Sequence, residues 1–554
     1  MAAAQHPNRT SHGRGAPTAE KAGKMPAEKA AKRAAEKAAK RAAEKAGKGA
    51  AEKTGKRAGE KAGKGAAETA PTIRQVPIGL KAKGTRREFD SLGDVYVPAD
   101  RYWGAQTQRS LEHFNIGNDR MPKEVYHAYG YVKKAAATVN TRAGRLPEWK
   151  GQLIEQVCDE VISGALDEDF PLYVWQTGSG TQSNMNVNEV ISNRCIQLAG
   201  GALGSQEPVH PNDHVNMGQS SNDTFPTAMH IAAHKMATEK TIPALKRLRD
   251  VVLRKSKKWA DVVKVGRTHL EDATPLTVGQ EWSGYAGALD DAIAEVEQAT
   301  HGLLKLAMGG TAVGTGLNAP PGFGEQVAAE IASMTSTPFE TASNKFTAQG
   351  TLDRMVRAHG ALRSAAVTLF KIANDLRWLG SGPRTGIHEL ILPANEPGSS
   401  IMPGKVNPTQ AEAMLMVAIQ VIASDTAVTM GGAEGNFELN AFRPLLISNY
   451  LHSALILADM CDHFREFMIE GAELNEAKLH DDIDRSVMMV TALSPIIGYD
   501  QASVISHYAI SHDLTLRQAA LANGVSEQLF DRVVKPLALT RGGTADISAD
   551  GAKA

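Results

Sequence analysis

The sequence predicts a mainly α fold built around a long central helical bundle, and composition and periodicity both point to it. Aromatic residues make up only 5% of the chain. This scarcity, with abundant Ala, Leu and Met, favours close-packed helices over sheets. Within residues 351–380, Met355, Leu362, Leu369 and Leu376 recur every seven positions. A seven-residue apolar repeat is typical of a long helix packed in a bundle.

Three further amphipathic stretches, residues 225–259, 275–306 and 407–430, extend the bundle. Pro275 stands where a proline is tolerated at the first helical position, and Thr274 is placed to cap that helix. These helices are longer than those of most globular domains. We therefore expect their exposed apolar sides to pair between subunits, with a bundle inside one chain as the alternative.

The first 70 residues differ from the rest of the chain. Glutamates recur at a period of eight from Glu20 to Glu68, and six of the seven have a lysine four positions later, an order that supports a solvated helix. This segment holds 17 Lys/Arg against 7 Glu, a net charge of +10, which leaves −10 for the remainder because the total is zero. It contains no Val, Ile, Leu, Phe, Tyr or Trp, so it has nothing to bury in a core.

Two interpretations of this tail, residues 1–75, remain open. It is either a polyanion-binding arm that neutralises phosphates of DNA, RNA or a similar surface, or a disordered or solvated helical extension that keeps the protein in solution. Met25 is an alternative start to Met1.

Three features predict a cytoplasmic protein without a membrane anchor. Cys158, Cys195 and Cys461 are too few and too scattered for a disulfide framework or a zinc site. No stretch approaches the length of a membrane-spanning helix, since the best apolar run, near residues 414–423, is interrupted by Gln420. The N-terminus lacks the apolar core of a signal peptide, and its recurring glutamates disfavour a mitochondrial transit peptide.

Polar, glycine-containing segments interrupt the helices at residues 176–188, 210–224, 266–274 and 395–410. In a helical protein such segments lie at helix ends, where backbone N–H groups can hold anions. Because they are rich in Ser, Thr, Asn and His and poor in carboxylates, they suit a small dianionic substrate.

The segment Gly398-Ser-Ser-Ile-Met-Pro-Gly-Lys-Val-Asn-Pro408 resembles the signature of the aspartase/fumarase superfamily. Other matching segments are Trp175–Asn184, His210–Asp213 followed by Ser220–Phe225, and Gly266–His269. Thr409-Gln410 and Gly435–Asn440 look like class II fumarases in particular. The resemblance covers roughly residues 76–548.

This resemblance implies a homotetramer around a central bundle, with active sites shared among three subunits and with neither metal nor organic cofactor. It implies three domains, which we expect at residues 76–217, 218–470 and 471–554. The implied reaction is the reversible anti addition of water to fumarate, giving L-malate through an aci-carboxylate carbanion.

The chemistry of that reaction explains the residue types of the signature. The proton removed lies next to a carboxylate, so stabilising the resulting dianionic group is the main burden. Lys405 and Asn407 supply a cation and an amide, and Asn407-Pro408 opens a helix whose positive end adds to the field.

Catalytic roles follow from the resemblance. Ser399 is the base, which requires a stabilised alkoxide. His269 protonates the leaving hydroxyl, directly or through a water, and Glu412 pairs with it to fix the tautomer. For Ser399 and Ser400, the alternative is ordinary hydrogen bonding to the backbone of a turn.

The substrate carboxylates are expected to bind a set of neutral donors near Lys405, which position the anion without excessive affinity. These donors are Ser179, Thr181, Ser220, Ser221, Asn222, Thr268, Ser400 and Asn407. A second anion site, at the entrance, is expected at His210, Pro211, Asn212 and Asp213. Met217-Gly218 replaces the Lys-Ser of many fumarases, which removes one positive charge there.

Two other functions compete with this interpretation. The nearest is aspartate ammonia-lyase of the same superfamily, but Thr409-Gln410 and Asn222–Phe225 favour the hydratase. The other is a nucleic-acid-binding or scaffold protein on an inactive body, which the presence of every proposed catalytic residue disfavours. His230 and His234 stand four apart on a predicted helix, but their Ala-rich surroundings favour packing over metal binding.

Overall fold

The computed structural model describes residues 70–543, which are mainly helical, as predicted. Residues 1–69 and 544–554 lie outside the described part, so the predicted state of the tail lies almost entirely outside it as well. The helices are α1 Ala105–His113, α2 Lys123–Arg142, α3 Glu148–Ile162, α4 Thr181–Leu198, α5 Ser221–Met236, α6 Ile242–Lys258, α7 Val278–His301, α8 Phe323–Thr335, α9 Lys345–Gly350, α10 Asp353–Leu379, α11 Thr409–Ala433, α12 Arg443–Phe464, α13 Glu476–Arg485, α14 Ser494–Ile497, α15 Tyr499–Ser511, α16 Leu516–Ala522, α17 Glu527–Val533 and α18 Pro536–Leu539.

Short strands pair two by two between these helices. The pairs are β1 Thr85–Asp90 with β2 Gly93–Pro98, β3 Val263–Thr268 with β4 Glu271–Thr277, β5 Lys305–Leu306 with β6 Glu340–Thr341, and β7 Leu390–Ile391 with β8 Glu473–Leu474. The β5–β6 pair is parallel and the other three are antiparallel.

The long helices form the predicted bundle. Helix α10 packs along α11 and α7, while α12 packs along α11, α5 and α6. The heptad residues Met355, Leu362, Leu369 and Leu376 of α10 are all buried, which confirms the interpretation of their spacing. The stretch 225–259 is helical in two parts, α5 and α6, joined by the π-helical turn Ala237–Thr241.

The predicted start of α7 is wrong. Pro275 lies in β4, and the helix is capped by Thr277, three residues after the predicted cap Thr274. The Thr277 hydroxyl accepts the Gln280 N–H at 3.0 Å, and the Gln280 side chain accepts the Thr277 N–H at 2.9 Å. This reciprocal capping box starts the helix after Thr277 rather than after Thr274. Pro275 then lies in the strand, where a proline is tolerated at an edge position that needs no N–H donor. The helix also ends at His301 rather than at residue 306.

Two other expectations are corrected. Residues 266–274 do not lie at a helix end but form the tip of the β3–β4 hairpin, where pairing between strands satisfies the backbone. Helix α11 is long and apolar enough to cross a membrane by length and composition alone, so the expectation that no stretch reaches that length is wrong. A single Gln420 does not offset the apolar residues around it.

The C-terminal helices have an apolar cluster of their own. Leu493, Ile505 and Ala519 are buried in it together with Val265 of β3, so this cluster anchors the base of the β3–β4 hairpin. The main core, which runs from Val95 to Leu479, is separate. The domain boundaries at 217/218 and 470/471 stay predictions.

Candidate active site

The superfamily signature forms a closed loop in front of α11, residues 394–408, called here the lysine loop. The Gly398 N–H donates to the Lys405 carbonyl at 2.8 Å, and the Asn407 amide donates to the Gly398 carbonyl at 2.8 Å. The Lys405 ammonium contacts the Asn407 side-chain oxygen. A cavity of about 390 Å³ opens between residues 394 and 406. The loop thus presents an ammonium and an amide beside the first turn of α11, which begins at Thr409, as the sequence indicated.

Ser399 is half-buried in this loop, and its hydroxyl oxygen accepts two backbone N–H groups. They come from Ile401 at 3.2 Å and Met402 at 3.0 Å. The turn hydrogen bonding that was the alternative to a catalytic role is therefore present. The same two donors are also what an alkoxide at this oxygen needs, because hydrogen bonds to the charged form favour ionisation. Ser400 is exposed next to it.

A second group of predicted residues, Ser179, Thr181 and Ser221, forms a hydroxyl cluster. The Thr181 hydroxyl lies 2.9 Å from the Ser179 hydroxyl and 2.7 Å from the Ser221 hydroxyl. Thr181 begins α4 and Ser221 begins α5, so the positive ends of two helices meet at the cluster. Gly180 makes the close approach possible, since its φ is +78° and a Cβ there would lie 2.0 Å from the Phe225 ring.

Two further predicted ligands, Ser220 and Asn222, lie at the start of α5. The Ser220 hydroxyl accepts the Asn222 N–H at 3.1 Å, and the Asn222 amide donates to the Ala312 carbonyl at 2.8 Å. Below them, the buried Asp223 carboxylate accepts the N–H groups of Ser220 at 3.0 Å and Thr311 at 2.9 Å. Burial raises the pKa of Asp223 to about 6. Asp223 therefore fixes the loop rather than facing a substrate.

His269 occupies a strained hairpin turn. It and Leu270 form the two-residue connection between β3 and β4, with φ values of +58° and +64°. Turns of this kind normally use Asn, Asp or Gly, and each non-glycine residue held there costs about 1–3 kcal/mol. Such strain persists where the surroundings impose it, often at functional sites. Both residues are exposed, as is Thr268 at the end of β3.

A buried ion-pair network holds this hairpin in place. The Lys264 ammonium contacts Glu281 and Glu389 at 2.7 Å each, and Arg267 contacts Glu389 at 2.6 Å. Removing one partner of such a network leaves an uncompensated buried charge, so the network stabilises the hairpin that carries His269.

The three groups are not linked to one another in the described part of one chain. Across residues 70–543, no hydrogen bond or ion pair joins the lysine loop, the hydroxyl cluster and the hairpin turn. Glu412 is exposed in the first turn of α11, and its pairing with His269 stays a prediction.

The predicted second anion site forms a compact turn. The His210 Nδ1 accepts the N–H groups of Asn212 and Asp213 at 3.1 Å each, and Pro211 begins a π-helical turn. A cavity of about 300 Å³ beside it is also lined by Glu88, Asp90 and Glu189. Burial raises the pKa of Glu189 to about 7. Anion binding here stays a prediction, and the acidic lining opposes it.

Two functional candidates escaped the sequence analysis, the buried cations Lys133 and Arg443. Arg443 contacts the carbonyls of Ser179 and Ser221, and Lys133 contacts side chains of α4 and of the loop before α5. The available signal was position, because Lys133 follows Tyr126 and Tyr129 on the apolar face of α2, where a solvated lysine does not belong.

Comparison with known proteins shows which class of protein this chain belongs to. A model of the family described as "Lyase" matches residues 93–423, and one described as "Fumarase C C-terminus" matches residues 489–541. The class is therefore a helical lyase.

Individual relatives narrow this class. The chain is 65% identical to the class II fumarate hydratase of Methanosarcina acetivorans over 84% of its own length and 96% of the relative. It is 55% identical to that of Thermosynechococcus vestitus over 81% and 97%, respectively. The crystal structure of class II fumarase from Schistosoma mansoni matches with a TM-score of 0.81 at 40% identity, covering 83% of this chain and 99% of that one. The chain belongs to the class II fumarate hydratase family.

Proposed function

We propose that this protein catalyses the reversible addition of water to fumarate, giving L-malate. The observation that carries the proposal is 65% identity across 96% of a class II fumarate hydratase. The loops support it, since the lysine loop carries an ammonium and an amide, and the hydroxyl cluster lies at two helix N-termini; these are the kinds of donor that a small dianion needs.

In the dehydration direction, the Ser399 alkoxide removes the carbon-bound proton next to a carboxylate. The electron pair moves into that carboxylate, which becomes the dianionic aci form, and Lys405 and Asn407 stabilise it. The C–O bond on the opposite face then breaks, and the hydroxyl leaves as water with a proton from His269, oriented by Glu412. The hydroxyl cluster, with Ser220, Asn222, Thr268 and Ser400, holds the carboxylates during both steps.

We further propose that four copies assemble around the bundle in the cytoplasm and share active sites. Separation of the three groups within one chain supports sharing, because the chemistry needs them within hydrogen-bonding reach of one substrate. The apolar face of α11 supports assembly, with Met416 66%, Ile419 57% and Met430 67% exposed in the isolated chain. Covering such a face removes apolar surface from water. Sedimentation at micromolar concentration tests this, and a monomer that turns over malate would contradict sharing.

A direct assay tests the proposed activity against aspartate ammonia-lyase. We expect ultraviolet absorbance of fumarate to rise when purified protein meets L-malate and to stay flat with L-aspartate. A rise in absorbance with L-aspartate and none with L-malate would contradict the hydratase and favour aspartate ammonia-lyase. Because both substrates release the same product, one detection method serves both arms.

For the tail, residues 1–75, we propose weak polyanion binding, supported by its net charge of +10 over residues 1–70. Deleting residues 1–75 should leave malate turnover unchanged and abolish salt-sensitive binding to duplex DNA, measured by fluorescence anisotropy over a salt series. The matched control is the full chain at high salt, where binding should also disappear. A large loss of turnover on deletion would contradict the separation of tail and enzyme.

A further inference from the structure

Next to the start of α4 and the loop before α5, the structure buries an ammonium that forms no ion pair with any described residue. Lys133 of α2 is fully buried, and its nitrogen contacts the side-chain oxygens of Asn184 at 2.7 Å, Asn216 at 3.0 Å and Gln219 at 3.0 Å. All three partners are neutral amides. Buried lysines are normally paired with a carboxylate, since an isolated ammonium loses its hydration without compensation.

A buried guanidinium lies on the other side of the same loops. Arg443 opens α12 and is fully buried. Its Nη1 lies 3.5 Å from the carbonyl oxygens of Ser179 and Ser221, and its Nη2 donates to the Gln349 carbonyl at 2.9 Å. Its Nε has no hydrogen-bond partner. Again every partner is neutral, and two of them belong to the hydroxyl cluster.

The negative charge near these two cations does not balance them. Asp223 is the carboxylate that acts on both, and backbone N–H groups of three residues already occupy it. Burial lowers the pKa of Lys133 to about 7 and that of Arg443 to about 10. Both shifts are in the direction expected when a cation lacks a sufficient counterion.

The Lys133 contacts lead directly to the cluster. The Asn184 oxygen that accepts from Lys133 lies 3.1 Å from the Thr224 hydroxyl, and the same hydroxyl lies 2.9 Å from the Ser220 carbonyl, so its single hydrogen is shared between these two acceptors. Gln219 immediately precedes Ser220. In a low-dielectric interior, the charge of a buried ammonium is screened less than that of a surface one.

We propose that Lys133 and Arg443 form a buried cationic pair that supplies the countercharge for the substrate dicarboxylate held at the hydroxyl cluster. This inference rests on the proposed function. It makes Lys133 a positioning and electrostatic residue, not a catalytic one, because its nitrogen contacts protein amides. It also explains how a site of neutral hydroxyls attracts a dianion.

The test replaces the ammonium in two ways. Lys133→Met removes the charge and all three donors, while Lys133→Gln removes the charge but keeps an amide that can donate hydrogen bonds. The matched control is Lys134→Met on the same helix, which makes the same change in net charge but removes a surface ammonium paired with Asp159. For each variant we would measure KM and kcat with L-malate, succinate affinity by calorimetry, and folding by circular dichroism.

We expect both Lys133 variants to raise KM and to weaken succinate binding by about tenfold or more, with a smaller change in kcat, and Lys134→Met to match the parent. Restoration of parental KM and succinate affinity by Lys133→Gln would overturn the proposal, because hydrogen bonding alone would then suffice. Unchanged KM and succinate affinity in Lys133→Met would overturn it too. If Lys133→Met does not fold, the glutamine variant decides. Failure of the parent to convert malate would instead contradict the proposed function.

Discussion

Ser399→Ala lowers kcat for malate dehydration by about 10²–10⁴-fold, the usual contribution of a positioned general base. The Ser399 oxygen accepts N–H groups from Ile401 and Met402, the donors that an alkoxide there would need, and alanine removes the oxygen that we propose takes the proton. Steady-state assays that follow fumarate absorbance measure the loss.

Ser400→Ala is the matched control, since it removes the same hydroxyl one position later in the same loop. As a proposed carboxylate ligand, Ser400 should affect KM more than kcat, and by a smaller factor. Because the loop is on the surface, both variants should keep the parental melting temperature. Parental turnover in Ser399→Ala, or an equal loss of kcat in both variants, would remove Ser399 as the base.

We expect His269→Asn to produce the second large loss, again about 10²–10⁴-fold in kcat, because it removes the group that we propose as the acid for the leaving hydroxyl. Asparagine is chosen as the replacement because it suits the backbone conformation of this turn. The turn holds residue 269 at a φ of +58°, which asparagine tolerates better than most residues, so the hairpin should keep its shape. Single-turnover measurements separate loss of chemistry from slow product release.

Leu270→Asn controls for this turn. It introduces the same side chain at the neighbouring position, with a φ of +64°, and leaves the imidazole in place. We expect turnover close to that of the parent. If the kcat of Leu270→Asn fell as far as that of His269→Asn, a change in turn geometry rather than lost proton transfer would explain both losses. If His269→Asn kept the parental rate, the acid would be another group.

The features that periodicity could predict were those governed by local packing. The seven-residue spacing of Met355, Leu362, Leu369 and Leu376 places all four in the core, so α10 was predictable to within a few residues. The start of α7 was not, because Thr274-Pro275 and Thr277–Gln280 both carry capping signals. The pairing of β4 with β3, which extends through Thr277, is what leaves Thr277 as the cap.

For the site, the signature loop was predictable because its turns are closed by residues within it, such as Gly398 with Lys405. For the buried cations, the position of Lys133 on the apolar face of α2 was the one available signal, but its neutral partners Asn184, Asn216 and Gln219 come from other segments and could not be predicted. The proposed meeting of Ser399 with His269 could not be predicted from local patterns, because these two residues lie on segments that no hydrogen bond or ion pair joins within residues 70–543.

The central claim is that the lysine loop, the hydroxyl cluster and the hairpin turn come together around one dicarboxylate. A crystal structure of the full chain, soaked with succinate or trapped with a malate analogue, tests it most directly. We predict a ligand that contacts Ser399, Lys405 and Asn407 of one protomer, with hydroxyls and an imidazole from other protomers completing the site. A ligand bound away from Ser399, Lys405 and His269 would contradict the account.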